Sequence, residues 1–406
     1  AHSTHVIGTI GATGVDPMAI GAAPQIRIDS YDWDFDLSEM TARAMSLPGE
    51  ANRLQISNHS YGYVAGWDWW YTPPRWLGTW GNRESDYFGL YDEHSRDWDT
   101  ICYGAPYYLP FKAAGNDRSD PAPNPGNTFY YFDEIYGWVS KGYDPDADPY
   151  ADNWDQGGFD TISIIGTAKN VMTVGAVDDA VLEGQRHLAA AEIAPFSCWG
   201  PTDDGRVKPD IMANGVDVHS TSDVSDQGYD TMSGTSMATP NAAGSAMLLL
   251  QYYGRLMPGQ YMRASTIKGL ILHTADDLDN PGPDYRTGWG LMNVKAAADH
   301  IRAHHDMPLA YKMVEGVLNS QTPVADYIVT WNGVTPLRAT LCWTDPPATA
   351  LRALNNPSPR LVNDLDLRII APDGITTFYP FVLDRQNPAA PATTGDNVLD
   401  NVEQVD

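Results

Sequence analysis

Ser233-Gly234-Thr235-Ser236-Met237-Ala238-Thr239-Pro240 runs straight into the helical pattern Asn241 to Tyr253. A serine at the head of a helix meets free N–H groups and the positive end of the helix dipole, which favour a developing negative charge. Its small neighbours let a substrate backbone approach, and Pro240, which has no N–H to lose, suits a first-turn position. The same serine equally suits a plain N-cap. Around this junction the first 300 or so residues alternate short apolar segments with helical patterns. Pro24 to Asp29, Arg53 to Asn58, Pro110 to Ala114 and Val171 to Val177 predict strands. Leu37 to Met45, with Asp36 and Glu39 near its start, predicts a helix. Strands separated by helices imply crossovers, hence an α/β fold with a mostly parallel sheet flanked by helices. Catalytic loops then gather at the carboxyl ends of the strands.

Beyond Ile301 the pattern changes. From about Met313 short alternating segments, among them Tyr327 to Trp331, Arg338 to Trp343 and Leu365 to Ile370, are separated by Pro, Asn, Asp and Gly turns. They predict a smaller antiparallel β-sandwich or jelly-roll domain. The expected division is a catalytic domain over residues 1–305 and a β-domain over 306–406, which suits a chain of 406 residues. Two aromatic-rich stretches interrupt the first part, Gly66 to Trp80 and Asp117 to Asp160. Both read as long insertions. Their rings either pack the insertion against the body or present faces to sugars or extended peptide.

Composition excludes several roles. With 25 basic against 52 acidic residues the net charge is −27, which argues against nucleic acid and against anionic membrane surfaces. The longest apolar run, Ala242 to Tyr253, is broken by Gly244, Ser245 and Gln251 and is shorter than the roughly 18 residues a span needs. Cys102, Cys198 and Cys342 lie far apart without zinc or redox spacing.

Gly234 to Pro240, G-T-S-M-A-T-P, resembles the nucleophile motif of the subtilisin-like serine proteases. Ala1 to Gly8 is similar to their H-G-T-H-V-A-G histidine motif, with Ser3 in place of the usual Gly, and Ala113-Ala114-Gly115-Asn116 is similar to their oxyanion segment. Phe196-Ser197, Gly200-Pro201 and Lys208 to Ala213 continue the likeness. The segments 166–170, 342–346 and 361–367 resemble the alkaline, oxidatively robust subgroup that carries a C-terminal β-domain.

The resemblance implies that Ser236 is the nucleophile, His2 its general base and Asn116 a side-chain donor to the oxyanion beside the N–H of Ser236. His5 takes a structural role. The Asp that the family carries before the histidine motif is absent, since only Ala1 precedes His2. The expectation is a truncated chain, nearly inactive by itself, that starts inside the catalytic domain and stops before the β-domain is complete. Without the orienting Asp, the alternative is a catalytically inactive relative that binds peptide or polymer.

The resemblance further implies polypeptide substrates, lying between Ser60-Tyr61-Gly62 and Ala113-Ala114-Gly115 as an added strand. Tyr61 is expected to narrow the slot. It also implies a monomer, an N-terminal prosegment in the precursor, secretion, and structural calcium. Asp364 and Asp366, with Asn363 and Asp345 nearby, are the candidate calcium donors, ahead of Asp144, Asp146 and Asp148. Oxidation of Met237, next to the nucleophile, is expected to slow the enzyme.

Overall fold

Leu109 to Ala113 and Met172 to Val177 are buried at every position, the pattern of strands covered on both faces. The computed structural model describes residues 1–310 and 312–406. In chain order its elements begin α1 (His2–Gly11), α2 (Asp36–Arg43), β1 (Ile56–His59), β2 (Trp67–Asp68), β3 (Arg75–Trp76), α3 (Glu93–Gly104), β4 (Leu109–Ala113), β5 (Thr128–Asp133) and β6 (Gly137–Gly142). There follow β7 (Met172–Val177), β8 (Val181–Leu182), β9 (Gln185–Arg186), β10 (Ile211–Asn214), β11 (Val218–Thr221), β12 (Tyr229–Met232), α4 (Thr235–Leu256), α5 (Ala264–His273) and α6 (Val294–Asp306). The last strands are β13 (Ala339–Cys342), β14 (Ile369–Ile370), β15 (Thr377–Phe378), β16 (Phe381–Val382), β17 (Thr393–Thr394) and β18 (Val402–Val405).

The central sheet has the order β1-β4-β7-β10 and is parallel throughout. Ile56 sits opposite Leu109, Phe111 opposite Met172 and Val174 opposite Ile211. α4 crosses it on a face of Ala238, Ala242, Ala243 and Ala246, packed on Phe111, Val174, Ala176 and Ala213. Alanine on this face keeps the helix close to the strands. A second cluster, with Met40 of α2, Trp98 and Cys102 of α3, Tyr108 and Val171, lies beneath the other helices. The expected α/β arrangement of a parallel sheet flanked by helices is therefore present.

Gly244, which interrupts the apolar run of α4, lets α1 cross closely: a Cβ there would sit 3.2 Å from the Ile10 carbonyl oxygen and 2.9 Å from Ala22 Cβ. Pro24 to Asp29 is not a strand. Ile26 and Ile28 instead lay their side chains over Gly11 of α1, so the apolar alternation there reports packing on a helix and not pairing in a sheet.

The two insertions are one structure. β3 pairs in parallel with β5, giving a four-stranded sheet of order β2-β3-β5-β6. Trp67, Trp76, Phe129 and Tyr143 form its own buried cluster, with Trp67 at 5.1 Å from Phe129, edge to face. Trp70 is 90% exposed, so the tryptophans divide between core and surface.

In the C-terminal part the antiparallel character is present as three two-stranded pairs, β13–β18, β14–β15 and β16–β17. Tyr327 to Trp331 forms no strand, and Leu365 to Ile370 contributes only its last two residues. Ile328 is 92% exposed, so the alternation in that segment has no apolar layer to face.

Candidate active site

Gly234 precedes α4 with φ 157° and ψ 158°, a conformation essentially restricted to glycine, and α4 then starts at Thr235. Ser236 thus lies in the first turn. Its Oγ donates to the Ser60 carbonyl at 3.1 Å, and Ser60 Oγ donates back to the Ser236 carbonyl at 2.7 Å. Pro240 explains the second bond. It stands inside α4, a turn later than the first-turn position expected of it, and as the residue four beyond Ser236 it has no N–H to offer that carbonyl. The carbonyl freed in this way accepts from Ser60.

Asn116 follows β4, and its Oδ1 accepts from both the N–H and the hydroxyl of Thr235, each at 2.9 Å. This network assigns the amide orientation and leaves Nδ2 as the outward end. A Cβ built on Gly234 would lie 3.5 Å from Asn116 Nδ2 and 3.6 Å from the Ser236 nitrogen. Two donors therefore border a space that Gly234 keeps open. Thr235, which sequence reasoning passed over, aims Asn116; the only signal for it was its place inside the nucleophile motif.

His2 opens α1, at an accessible position. Partial burial, then His5 and the N-terminal amine, hold its pKa below the ordinary histidine value. Among the described residues no hydrogen bond joins His2 to Ser236 or to a carboxylate. His5 is buried, bonds through Nε2 to the Val218 carbonyl at 2.9 Å, and receives the Ser220 hydroxyl on its own carbonyl. It ties α1 to β11.

The two expected walls leave the same, carboxyl, end of the sheet, because β1 and β4 are parallel neighbours with His59 opposite Lys112. Ser60-Tyr61-Gly62 continues β1, and Ala113-Ala114-Gly115 closes β4. Lys112 is buried between them, donates to the Ala113 carbonyl at 2.9 Å, and would lie 2.9 Å from a Cβ on Gly62. A larger residue at 62 would have to displace the Lys112 ammonium. Burial pushes the Lys112 pKa down to about 8. The Tyr61 hydroxyl is tied to Asp36 of α2 at 3.0 Å and to His59 at 2.7 Å.

Several of the acidic residues expected to hold calcium are engaged by protein cations instead. Asp366 and Asp396 are both engaged by Arg368, Asp345 pairs with Lys169, and Asp364 has only acidic neighbours and Arg368 in its field. In the loop 144–148, Arg83 donates to the carbonyls of Pro145, Asp146 and Asp148, and Lys141 pairs with the Asp148 carboxylate at 2.6 Å. Protein cations thus engage Asp345, Asp366 and Asp148 among these candidates. No three His, Cys, Asp or Glu side chains among the described residues are arranged to hold an ion.

Met237 is 1% exposed, whereas Met18 is 81% exposed. Mild peroxide should therefore convert Met18 to its sulfoxide first, read by peptide mass spectrometry. Loss of Ser236 reactivity should follow only the slower Met237 sulfoxide. Loss in step with Met18 would contradict this.

Residues 1–290 match the sequence profile of the subtilase family, peptidase S8. Serine protease AprX of Bacillus subtilis is 36% identical over 151 residues, covering 33% of this chain and 31% of AprX. Pyrolysin of Pyrococcus furiosus is 36% identical over 117 residues, covering 27% of this chain and 8% of pyrolysin. The matches thus span about a third or less of the length of those two proteins. Among solved structures, the patellamide maturation protease PatA is similar with a TM-score of 0.46 at 21% identity, covering 74% of this chain and 84% of that one.

Proposed function

Because the chain belongs to the subtilase family, we propose that it is a serine endopeptidase chain in which Ser236 attacks the peptide carbonyl, with His2 as general base. The tetrahedral oxyanion is held by Asn116 Nδ2 and the Ser236 N–H. The observation that carries the reading is the pair of hydrogen bonds that Thr235 donates to Asn116 Oδ1, since it presents the donor end of the amide beside the nucleophile.

The neutral Ser236 hydroxyl is a weak nucleophile and must leave the Ser60 carbonyl to meet the base. His2 takes its proton as Oγ bonds to the carbonyl carbon, and returns that proton to the leaving amine as the C–N bond breaks. Water, activated by the same histidine, then releases the acyl group and restores Ser236. Because the His2 pKa is lowered, its neutral, base-competent form persists below the usual value of about 6.5. The acid limb of the pH profile should accordingly fall below that value. With no carboxylate bonded to His2, turnover of this 406-residue chain is expected to be slow, by roughly 10⁴-fold.

Polypeptide enters as an extended strand between Ser60–Gly62 and Ala113–Gly115, taking affinity from main-chain hydrogen bonds. No helix of the described residues is long and apolar enough to cross a membrane, and the surplus negative charge suits a secreted protein in salty surroundings that screen it.

The direct test is a serine-directed phosphonate, with the adduct mapped by mass spectrometry to Ser236. Asn116→Ala should slow labelling by about 10²–10³-fold, a scale taken over from a subtilisin oxyanion donor. A chain that never labels would favour the alternative of a peptide- or polymer-binding relative. The resting bond of Ser236 Oγ to Ser60 is the observation on that side.

A further inference from the structure

Asp203 is 4% exposed, and its carboxylate oxygens make no well-formed hydrogen bond, the Asn356 main-chain N–H being the backbone donor that acts on them. Asp160 Oδ1, also buried, makes none either. Bare carboxylate oxygens are costly to bury. The neighbouring acid shows the ordinary remedy: Asp204 is paired with Arg206 at 2.9 Å. Arg385, the cation beside Asp203, gives its Nη1 to the Asp203 main-chain carbonyl at 3.0 Å.

These oxygens converge over Gly89. A Cβ on Gly89 would sit 2.5 Å from Asp203 Oδ1 and closer still to Asp160 Oδ1, so the missing side chain opens the space between the two carboxylates. Main-chain bonds hold the frame. Gly89 N donates to Ile162 O at 2.8 Å, Asp203 N to Gly89 O at 3.0 Å, and Asp160 N to Gly200 O at 2.9 Å.

We infer that Asp160 and Asp203 bind a divalent cation of the calcium type over Gly89. Two carboxylates match its double charge, and donors that are all oxygen select a hard ion. Water or main-chain oxygens would complete the shell. Without the cation, burial first and then neighbouring acids push both groups up, Asp203 acting on Asp160, and Asp204 and Glu84 on Asp203, so a proton is the competing occupant.

The position gives the ion a purpose. Asp160 closes the second insertion, and Asp203 lies in the turn that receives the C-terminal part, where Arg360 N donates to Asp204 Oδ2 at 2.9 Å. A cation there would fasten three chain segments at the seam between them.

The test uses the 406-residue chain, stripped with chelator and titrated with calcium chloride near pH 8, reading the melting temperature. Terbium emission excited through tryptophan gives a second readout, since the Trp199 carbonyl accepts from Thr161 N beside Asp160. The parent should gain roughly 2–4 °C with calcium and show terbium emission that calcium displaces. Asp203→Asn and Asp160→Asn should each lose both responses, and neither should melt below the parent in chelator, because a repulsion has been removed. If one variant fails to fold, the other decides. A parent with no calcium or terbium response, or full responses kept in a folded variant, overturns the site.

Discussion

Ser236→Ala should abolish phosphonate labelling completely, because the hydroxyl proposed to attack phosphorus is gone. The effect on turnover should be much smaller than the serine's importance suggests. In a subtilisin, loss of the nucleophile costs about 2 × 10⁶ and loss of the orienting Asp alone about 3 × 10⁴, and removal of all three triad members costs no more than loss of the nucleophile. These figures are carried over from that relative and do not derive from the present geometry. On the proposed reading, in which no carboxylate among the described residues orients His2, most of that range is already forfeited. Ser236→Ala should therefore reduce its peptide hydrolysis by only about 10²-fold further. The parent's labelling and turnover must be measured side by side. A drop near a millionfold would mean that His2 is oriented by a carboxylate after all, and unchanged labelling would remove Ser236 from the mechanism.

Breaking the Lys169–Asp345 pair should destabilise the fold by about 3–5 kcal/mol, read as a lowered urea midpoint. Both side chains are fully buried and 2.5 Å apart. Lys169 also donates to the carbonyls of Pro346 and Arg360, while Asp345 accepts from the N–H groups of Val362 and Asn363. Asn170 adds a reciprocal pair of bonds with the Asp345 main chain, at 2.8 and 2.9 Å. Lys169→Met leaves a buried carboxylate without its cation, and Asp345→Leu leaves an ammonium without its anion. The double substitution should recover only part of the loss, because the Val362 and Asn363 N–H groups stay unpaired at about 1–3 kcal/mol each. A single substitution costing under about 1 kcal/mol would show that the knot does not hold the C-terminal part in place.

This knot gives a physical meaning to three segments that, in the sequence, only marked a subgroup. Residues 166–170, 342–346 and 361–367 resemble one another in nothing, yet their polar atoms satisfy each other in one buried place. The same fact removes Asp345 from the calcium donors. An acidic residue followed by more acids reads as a metal loop until the cations that fold onto it are known. Lys169 is 176 residues away from Asp345, and no local pattern announces that meeting. Likewise Pro24 to Asp29 alternates like a strand, but alternation reports only that one face is covered, whether by a sheet or by a helix such as α1.

By itself the sequence determined the parallel core and pointed to the residues proposed for the chemistry. Short, mostly apolar segments at 110–114 and 171–177, set between helical patterns, imply a parallel sheet, and the small-residue run 233–240 leaves room for a serine at a helix head. His2, Asn116 and Ser236 were legible because their motifs are short and contiguous. Tertiary structure alone decided how those residues are held. It placed Pro240 inside α4, so that the Ser236 carbonyl is free for Ser60, and put Thr235 against Asn116. It joined Trp76 to Tyr131 across two insertions, and gathered Asp160 and Asp203 over Gly89. Each of these depends on a partner tens or hundreds of residues away, and such a pairing leaves no trace in local periodicity or propensity.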